Sequence, residues 1–498
     1  MANPIIGIDL GTTNCAVTKY ERGKTTVLPI KGKLTTPSVL YIEGSTVKVG
    51  HDAKKYIAVH PEKCLASTKR DMGTSTVYNI GGKEITPVLA ASLILKYLKE
   101  ETEAYLNDVC NDVVITIPAY FGFEERNATK QAAINAGWNP IALLDEPTAA
   151  AIIYGQNRNK SSLFTVVDLG GGTFDVTVLQ YLNENGKAKF KPLKVGGNHR
   201  LGGDDFDNAI VRYMIDEGAS GYKSELELKE EAEKAKIALS TSDVASISCE
   251  YVDTTLSRDK YKELISPYLD EICDTIKKTV SGAGKTLDDI DRFILVGGSC
   301  KHPVVKDAVK NCVGRTPYAA DNLDTAVSEG AALYHHFHNQ IDIDGGAGTT
   351  IIDVPCPKSL GTDLGNGNGE VINVVMVKEG TKIPCKVCQL AYFGGTTLHT
   401  KVLEGDARLA SDCKELYEML VEMRSPGEGH AIVTVFDIDE SGCLLFYTYE
   451  INPGCDIDML RNATESDTLK FDYQVWEQFL KTHSSSEYYE QKHKMEIK

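Results

Sequence analysis

The sequence predicts an α/β chain in which two similar lobes are followed by a small β-rich module. Three observations carry this. Over roughly the first 340 of its 498 residues, short β-branched apolar runs alternate with longer segments whose apolar residues recur every three or four positions. That is how mixed or parallel sheets covered by helices look in sequence. Within this stretch Ile5-Ile6-Gly7-Ile8-Asp9-Leu10-Gly11-Thr12-Thr13 recurs in kind as Phe164-Thr165-Val166-Val167-Asp168-Leu169-Gly170-Gly171-Gly172-Thr173. Both copies read strand, acid, glycine turn, threonine, so each lobe offers a glycine-rich hairpin to a shared cleft. Beyond a Gly-, Asp- and Thr-rich segment at 339–350 the pattern changes to short strands separated by Gly, Asn and Asp turns.

In chain order, strands are predicted at 113–117, 163–167 and 293–296, and helices at 124–136, 147–154, 224–239, 257–280 and 323–337. The later module takes strands at 371–377, 387–392, 431–438 and 444–451. The resulting division is 1–340 for the two-lobed domain, 341–356 for a linker, 357–455 for a β-sandwich and 456–498 for a short helical or disordered tail.

Composition excludes other classes. No apolar run of about 18 residues occurs, so no spanning helix is expected. A net charge of −17 repels phosphate backbones and anionic lipid, so neither nucleic acid nor membrane is expected as a partner. The start Met1-Ala2-Asn3-Pro4 runs straight into a strand-like segment, and no secretory leader is expected. Thirteen thinly spread cysteines read as reduced thiols in a cytoplasmic setting.

The glycine turns point to chemistry. A strand ending in Asp-Leu-Gly places a carboxylate where it can hold a hydrated divalent cation, and the glycines let the backbone curl so that successive N–H groups face one concavity. Two such turns facing each other could grip the β- and γ-phosphates of a nucleotide. A third strand with glycines, Phe293-Ile294-Leu295-Val296-Gly297-Gly298-Ser299, offers a flat wall for an adenosine. A single turn of this kind is as readily an ordinary hairpin; three in this order are not.

Taken together, these segments resemble the Hsp70 chaperone family, within the actin and sugar-kinase ATPase superfamily, over roughly residues 3 to 338. The phosphate motifs are Ile8-Asp9-Leu10-Gly11-Thr12-Thr13-Asn14 and Asp168-Leu169-Gly170-Gly171-Gly172-Thr173-Phe174-Asp175, with Ile117-Pro118-Ala119-Tyr120-Phe121 and Asp145-Glu146-Pro147-Thr148 between them. Leu201-Gly202-Gly203-Asp204-Asp205-Phe206-Asp207 and Glu233-Lys234-Ala235-Lys236-Ile237-Ala238-Leu239-Ser240 follow. The resemblance implies a two-lobed actin-like, duplicated ribonuclease H-like ATPase domain, with a β-sandwich that binds extended polypeptide. By position it implies that Asp9 and Asp175 hold magnesium through water, and that Thr12, Thr13 and Thr173 contact phosphate. Lys69 would position the attacking water, and Glu146 and Asp168 would orient water and metal. Glu233, Lys236 and Ser240 would contact adenine or ribose, with Gly297, Gly298, Ser299 and Asp324 opposite. Pro118, Arg126 and Asp353 would couple nucleotide state to the sandwich. The implied cofactors are ATP/ADP and Mg2+, with K+ as a further candidate; the implied partners are unfolded polypeptides, a J-domain protein and a nucleotide-exchange factor.

The sequence also departs from the family. Lys301 stands where many members carry an adenine-stacking arginine, and lysine stacks less well than a planar guanidinium. Ala142 stands where an arginine helps receive the J-domain. In the sandwich, Thr362, Leu364 or Gly365, Leu390, Leu398 and Thr400 are the expected pocket positions, and two hydroxyls there would weaken capture of an aliphatic side chain. After residue 455 the remaining chain is short for the family's helical lid.

Four other patterns read as structural. Gly282-Ala283-Gly284-Lys285-Thr286 lacks the earlier glycine of a P-loop and reads as a helix end. Cys385-Lys386-Val387-Cys388 has zinc spacing without a second pair, His335-His336-Phe337-His338 reads as a helix C-terminus, and Cys15 as a core-facing strand residue. The leading expectation is therefore an ATP-hydrolysing chaperone. The alternatives are a nucleotide-sensing regulatory or co-chaperone protein with weak or no peptide binding, and a small-molecule kinase of the same superfamily.

Overall fold

The computed structural model describes residues 4–155, 161–184, 187–222, 225–319, 323–344, 351–352, 355–365, 369–423, 430–452, 470–472 and 480. The chain divides into two units, one of Met1–Phe121 with Ala128–Ile352, the other of Gly122–Asn127 with Asp353–Lys498. Asp353, assigned to coupling from sequence, lies outside the described residues. No described helix is long and apolar enough to cross a membrane.

The first unit contains the duplicated sheet that the recurring motif predicts. In one lobe the strand order is Asn139–Asp145, Asp112–Ile117, Ile5–Leu10, Asn14–Glu21, Lys24–Val27. The first three run parallel and the last three antiparallel, with Ile5–Leu10 belonging to both sets. In the other lobe the order is Tyr318–Ala319, Arg292–Val296, Ser162–Leu169, Phe174–Glu184, Lys187–Asn198, with the same directions strand for strand. Ile351–Ile352 adds a short parallel strand at that edge, against Lys189 and Phe190. In each lobe one antiparallel pair, Ile5–Leu10 with Asn14–Glu21 and Ser162–Leu169 with Phe174–Glu184, is joined by a glycine hairpin at the sheet's end.

Helices Glu146–Gly155 and Ala326–Asp344 pack between the sheets, where Phe164, Val166, Ile294 and Val296 are fully buried with Ala149, Ile152, Val327 and Ala331. Burying an aliphatic side chain of this size contributes about 1.5–3 kcal/mol. Small residues set the spacing. A Cβ on Gly7 would lie 2.2 Å from the backbone N of Ala332, and one on Gly330 would lie 1.9 Å from the carbonyl of Ala149. The last helix also runs further than its periodicity suggests, to Asp344, so His335 is not at a C-terminus. Its Nδ1 instead sits 3.2 Å from the N and 3.0 Å from the O of Ile6, pinning the helix to the first strand. Ala142, in register with Val114, is closed to solvent in this core.

The second unit is a sandwich of two four-stranded sheets. One is ordered Val371–Val377, Leu360–Gly365, Thr397–Glu404, Lys414–Glu422; the other Leu444–Glu450, His430–Ile438, Cys385–Phe393, Lys470–Asp472. Leu360, Val374, Val402, Phe436 and Phe446 fill the space between them. The last strand comes from the segment read as a tail. Lys470–Asp472 pairs with Cys385–Phe393, and Leu480 is buried against that sheet. Leu390 belongs with Leu480, Val433 and Tyr447 in a separate cluster, on the face opposite Ala391 and Phe393, which pack in the sandwich core. It is therefore not grouped with Leu398, because alternate strand residues face opposite sides. The hydroxyls of Thr362 and Thr400 are buried and lie 3.1 Å apart, bonded to each other.

The crossing at Gly7 is a direct test of the packing. Gly7→Ala should lower the unfolding free energy by about 1–3 kcal/mol, since neither strand nor helix backbone can move aside. Equilibrium denaturation with the glycine restored as reference measures it.

Candidate functional site

The two glycine hairpins meet at the floor of a cleft of about 580 Å3 inside the first unit. Gly11, Thr12, Thr13 and Asn14 border it from one lobe, and Gly170, Gly171 and Thr173 from the other. The approach is possible only because the second turn has no side chains. A Cβ on Gly171 would stand 2.1 Å from the Oγ1 of Thr13, and one on Gly172 would stand 2.2 Å from the Cγ2 of Thr12. Gly172 itself is packed beneath Thr12 and does not line the cleft.

The segment Gly202-Gly203-Asp204 is knitted onto this turn. The N–H groups of Gly203 and Asp204 donate to the carbonyls of Gly170 and Gly171, at 3.0 and 2.6 Å. Helix Gly203–Asp216 begins there, with Asp205 accepting from the Gly202 N–H at 2.8 Å. Gly202 stays behind the wall, while Gly203 borders the cleft. The third glycine turn joins the same backbone, since Ser299 Oγ donates to the Gly170 carbonyl at 2.8 Å. Gly297 has φ +85° and its Cβ would meet the Leu169 carbonyl at 2.4 Å, so two independent constraints require glycine.

Charge gathers at the strand ends. Asp9 closes strand Ile5–Leu10 and accepts from Thr116 Oγ1 at 3.2 Å. Asp168 and Asp175 are register partners across the second hairpin. Glu146 opens helix Glu146–Gly155, and its Oε1 lies 2.6 Å from Lys69 Nζ, with both side chains buried. Lys69 sits in a short 3-10 turn entered through Ser67, whose φ of +57° is strained for a non-glycine residue. Ser67 is held there by its Oγ donating to Asp204 at 2.6 Å. Burial, and then repulsion from Glu146, pushes Asp9 up to about 7 and raises Asp168 and Asp175 well above the usual carboxylate range. Asp175 does not border the cleft. Its Oδ2 accepts from the Ala119 N–H, beside Pro118, at 3.1 Å, while its Oδ1 is buried without a partner.

This donor set fits a hydrated divalent cation with a polyphosphate. Asp9, Glu146 and Asp168 border the cleft with one ammonium, Lys69, beside two backbone cradles, and among the described residues no three acidic, His or Cys side chains converge on one point of direct ligation. Such an ion would be held by Asp9 and the neighbouring carboxylates through its water.

The other predicted residues occupy the upper cleft. Glu233, Lys236 and Ser240 line one side, Gly297, Gly298, Ser299 and Asp324 the other. Lys236 is anchored by Asp207 at 2.7 Å, and Glu233 pairs with Lys54 at 2.6 Å across the lobes. Arg70 and Asp205 make a second bridge at 2.6 Å. Lys301 is tied to Asp324 at the rim. Arg126, assigned to coupling, is buried in the second unit and donates Nη1 to the Ser441 carbonyl at 3.1 Å. The sequence reading missed Ser67, Tyr261 and His302; a serine before the Thr68-Lys69-Arg70 turn and a histidine directly after Gly297-Gly298-Ser299-Cys300-Lys301 were the available signals.

Cys15, under the first hairpin, lies 3.2 Å from Ser38 Oγ, and burial pushes its thiol up to about 11. A buried thiol held protonated is a poor nucleophile. Iodoacetamide at pH 8 should leave Cys15 unmodified in the folded chain while labelling the partly exposed Cys249, and should label both after denaturation; peptide mass spectrometry reads the outcome. A family model described as Hsp70 protein matches residues 5–496 of the chain.

Proposed function

The chain belongs to the Hsp70 family, with the two-lobed actin-like fold of its ATPase domain, and we propose that this chaperone hydrolyses ATP to ADP and phosphate in the cleft of its first unit. Members of the family bind ATP and ADP with Mg2+. The observation that carries the proposal is the buried Lys69–Glu146 pair, 2.6 Å apart, in the same cleft as two opposed glycine hairpins. Phosphoryl transfer to water needs positioning and charge neutralisation more than covalent assistance. The backbone turns at 11–13 and 170–173 cradle the phosphate oxygens, with the hydroxyls of Thr12, Thr13 and Thr173 beside them. Lys69 positions the attacking water and offsets charge on the terminal phosphate, and Glu146 fixes the ammonium's place. Asp9 and Asp168 would hold a magnesium ion through water, and the ion would supply screening of the polyphosphate charge; Asp175 supports them from beneath. Lys236 and Ser240, facing Gly298 and Ser299, take the nucleoside.

The second unit takes extended polypeptide, with Pro118, Arg126 and Asp353 relating its state to the nucleotide. A J-domain protein, a nucleotide-exchange factor and K+ complete the proposed set of partners and cofactors. One observation favours the reading as a nucleotide sensor with weak peptide binding, namely the buried hydroxyl pair of Thr362 and Thr400 at expected pocket positions. Turnover measured with and without a panel of extended hydrophobic peptides separates the two: chaperone function requires that some peptide bind or stimulate.

Lys69→Ala should cut single-turnover hydrolysis by about 100-fold or more while leaving nucleotide binding intact. A normal rate in that variant, with calorimetry confirming that nucleotide is bound, would remove Lys69 from the mechanism.

A further inference from the structure

Two residues on the inner wall of the cleft have no part in the chemistry above. Tyr261 comes from helix Arg258–Gly282, and His302 caps the N-terminus of helix Pro303–Val313. Their rings lie 4.7 Å apart at 52°, and both border the cleft. Tyr261 is fully buried and His302 is 4% exposed, yet Tyr261 Oη and His302 Nε2 have no hydrogen-bond partner in the chain. Burying two polar atoms without partners is costly, and sites that hold ligands are where such a cost persists.

The state of each group follows from its surroundings. The Val304 N–H donates to His302 Nδ1 at 3.2 Å, so that nitrogen carries no proton. Burial, with Arg258 and Lys236 nearby, pulls the imidazole down to about 4, which keeps it neutral under physiological conditions. A neutral ring whose Nδ1 accepts bears its proton on Nε2, and Nε2–H is therefore a buried donor lacking an acceptor. Burial and the Asp207 carboxylate raise the Tyr261 phenol, so its hydroxyl stays protonated and can donate or accept.

We propose that Tyr261 and His302 form a base-recognition pair: His302 Nε2–H donates to a ring nitrogen of a purine, and the Tyr261 hydroxyl takes the neighbouring polar atom. This rests on the reading of the cleft as a nucleotide site. The ligand matches in shape and charge. The glycine wall at Gly297 and Gly298 admits a flat ring, and Leu323 and Val327 border the cleft with apolar surface. The neutral donor suits an uncharged acceptor rather than a phosphate, which Lys69 attracts to the hairpin end. The cleft would then hold its ligand at both ends, by backbone amides and lysine at the polyphosphate and by directed hydrogen bonds at the base.

The test is calorimetric titration of the full chain with Mg2+ and ADP, 1-deaza-ADP, 3-deaza-ADP or 7-deaza-ADP. It is run on the wild type, on His302→Asn, which keeps an N-cap acceptor but lacks the Nε2 donor, and on the isosteric Tyr261→Phe. At least one deaza analogue should bind the wild type about three- to tenfold more weakly than ADP. His302→Asn should lose ADP affinity by the same factor and no longer distinguish that analogue, a coupling that simple destabilisation does not produce. Tyr261→Phe should weaken ADP binding while melting no earlier than the wild type. Equal binding of all four nucleotides by the wild type, or undiminished discrimination in His302→Asn, overturns the pair's role and leaves the nucleotide site standing. A wild type that binds none of the four overturns the nucleotide reading and this inference together.

Discussion

The close approach of two hairpins from different lobes is the constraint on which the first unit depends. Gly171 and Gly172 lie against Thr13 and Thr12 at distances no β-carbon can tolerate. Steric freedom here is a matter of space, not of φ, since neither glycine adopts the left-handed conformation. The same turn receives the start of helix Gly203–Asp216 and the Ser299 hydroxyl through its own carbonyls. Three glycine segments, far apart in sequence, thus share one backbone junction. A side chain at any of them would separate the strand ends that carry Asp9 and Asp168, and the charge cluster would lose its geometry.

That cluster is unfavourable in isolation. Buried carboxylates repel one another, and a single lysine cannot neutralise them, so the protein holds the arrangement by other means. Ser67 takes a strained backbone conformation to present Lys69, and the bond from Ser67 to Asp204 ties that strain to the opposite lobe. Across the top, Lys54–Glu233 is about one-third exposed on both sides, so it contributes at most about 1 kcal/mol. Rim pairs of this strength bias closure without locking it. A ligand that engages both lobes would shift the balance far more than they do, which suits a cleft that must also release what it binds.

Much of this was legible in the sequence because the signals are local. The repeated strand, acid and glycine turn specify a hairpin wherever they occur, and the two sheets reproduce each other strand for strand. Most helix ends fall within a few residues of their periodic signals. Features that depend on contacts distant in sequence were not legible. Helix Ala326–Asp344 runs on to Asp344, and His335 within it meets the backbone of Ile6, a contact with no local signature. Leu390 falls in the cluster on the face away from the sandwich core, and local sequence does not fix that parity. Lys470–Asp472 pairs with a strand some 80 residues earlier, in a segment whose composition reads as solvated tail. Tyr261 occupies an ordinary helical position and His302 an N-cap, and only packing reveals that their polar atoms share a wall.

Buried polar atoms are satisfied by each other at some places in this chain and left without partners at others. In the second unit the buried hydroxyls of Thr362 and Thr400 satisfy each other. In the cleft of the first unit the logic is reversed. Tyr261 Oη, His302 Nε2 and, beneath the floor, Asp175 Oδ1 are buried and unpartnered. Folding alone gains nothing from these atoms, whereas a ligand that supplies their missing partners recovers the full desolvation cost. An occupant of the cleft that reached Tyr261 and His302 would therefore add its binding free energy to the stability of the fold around them.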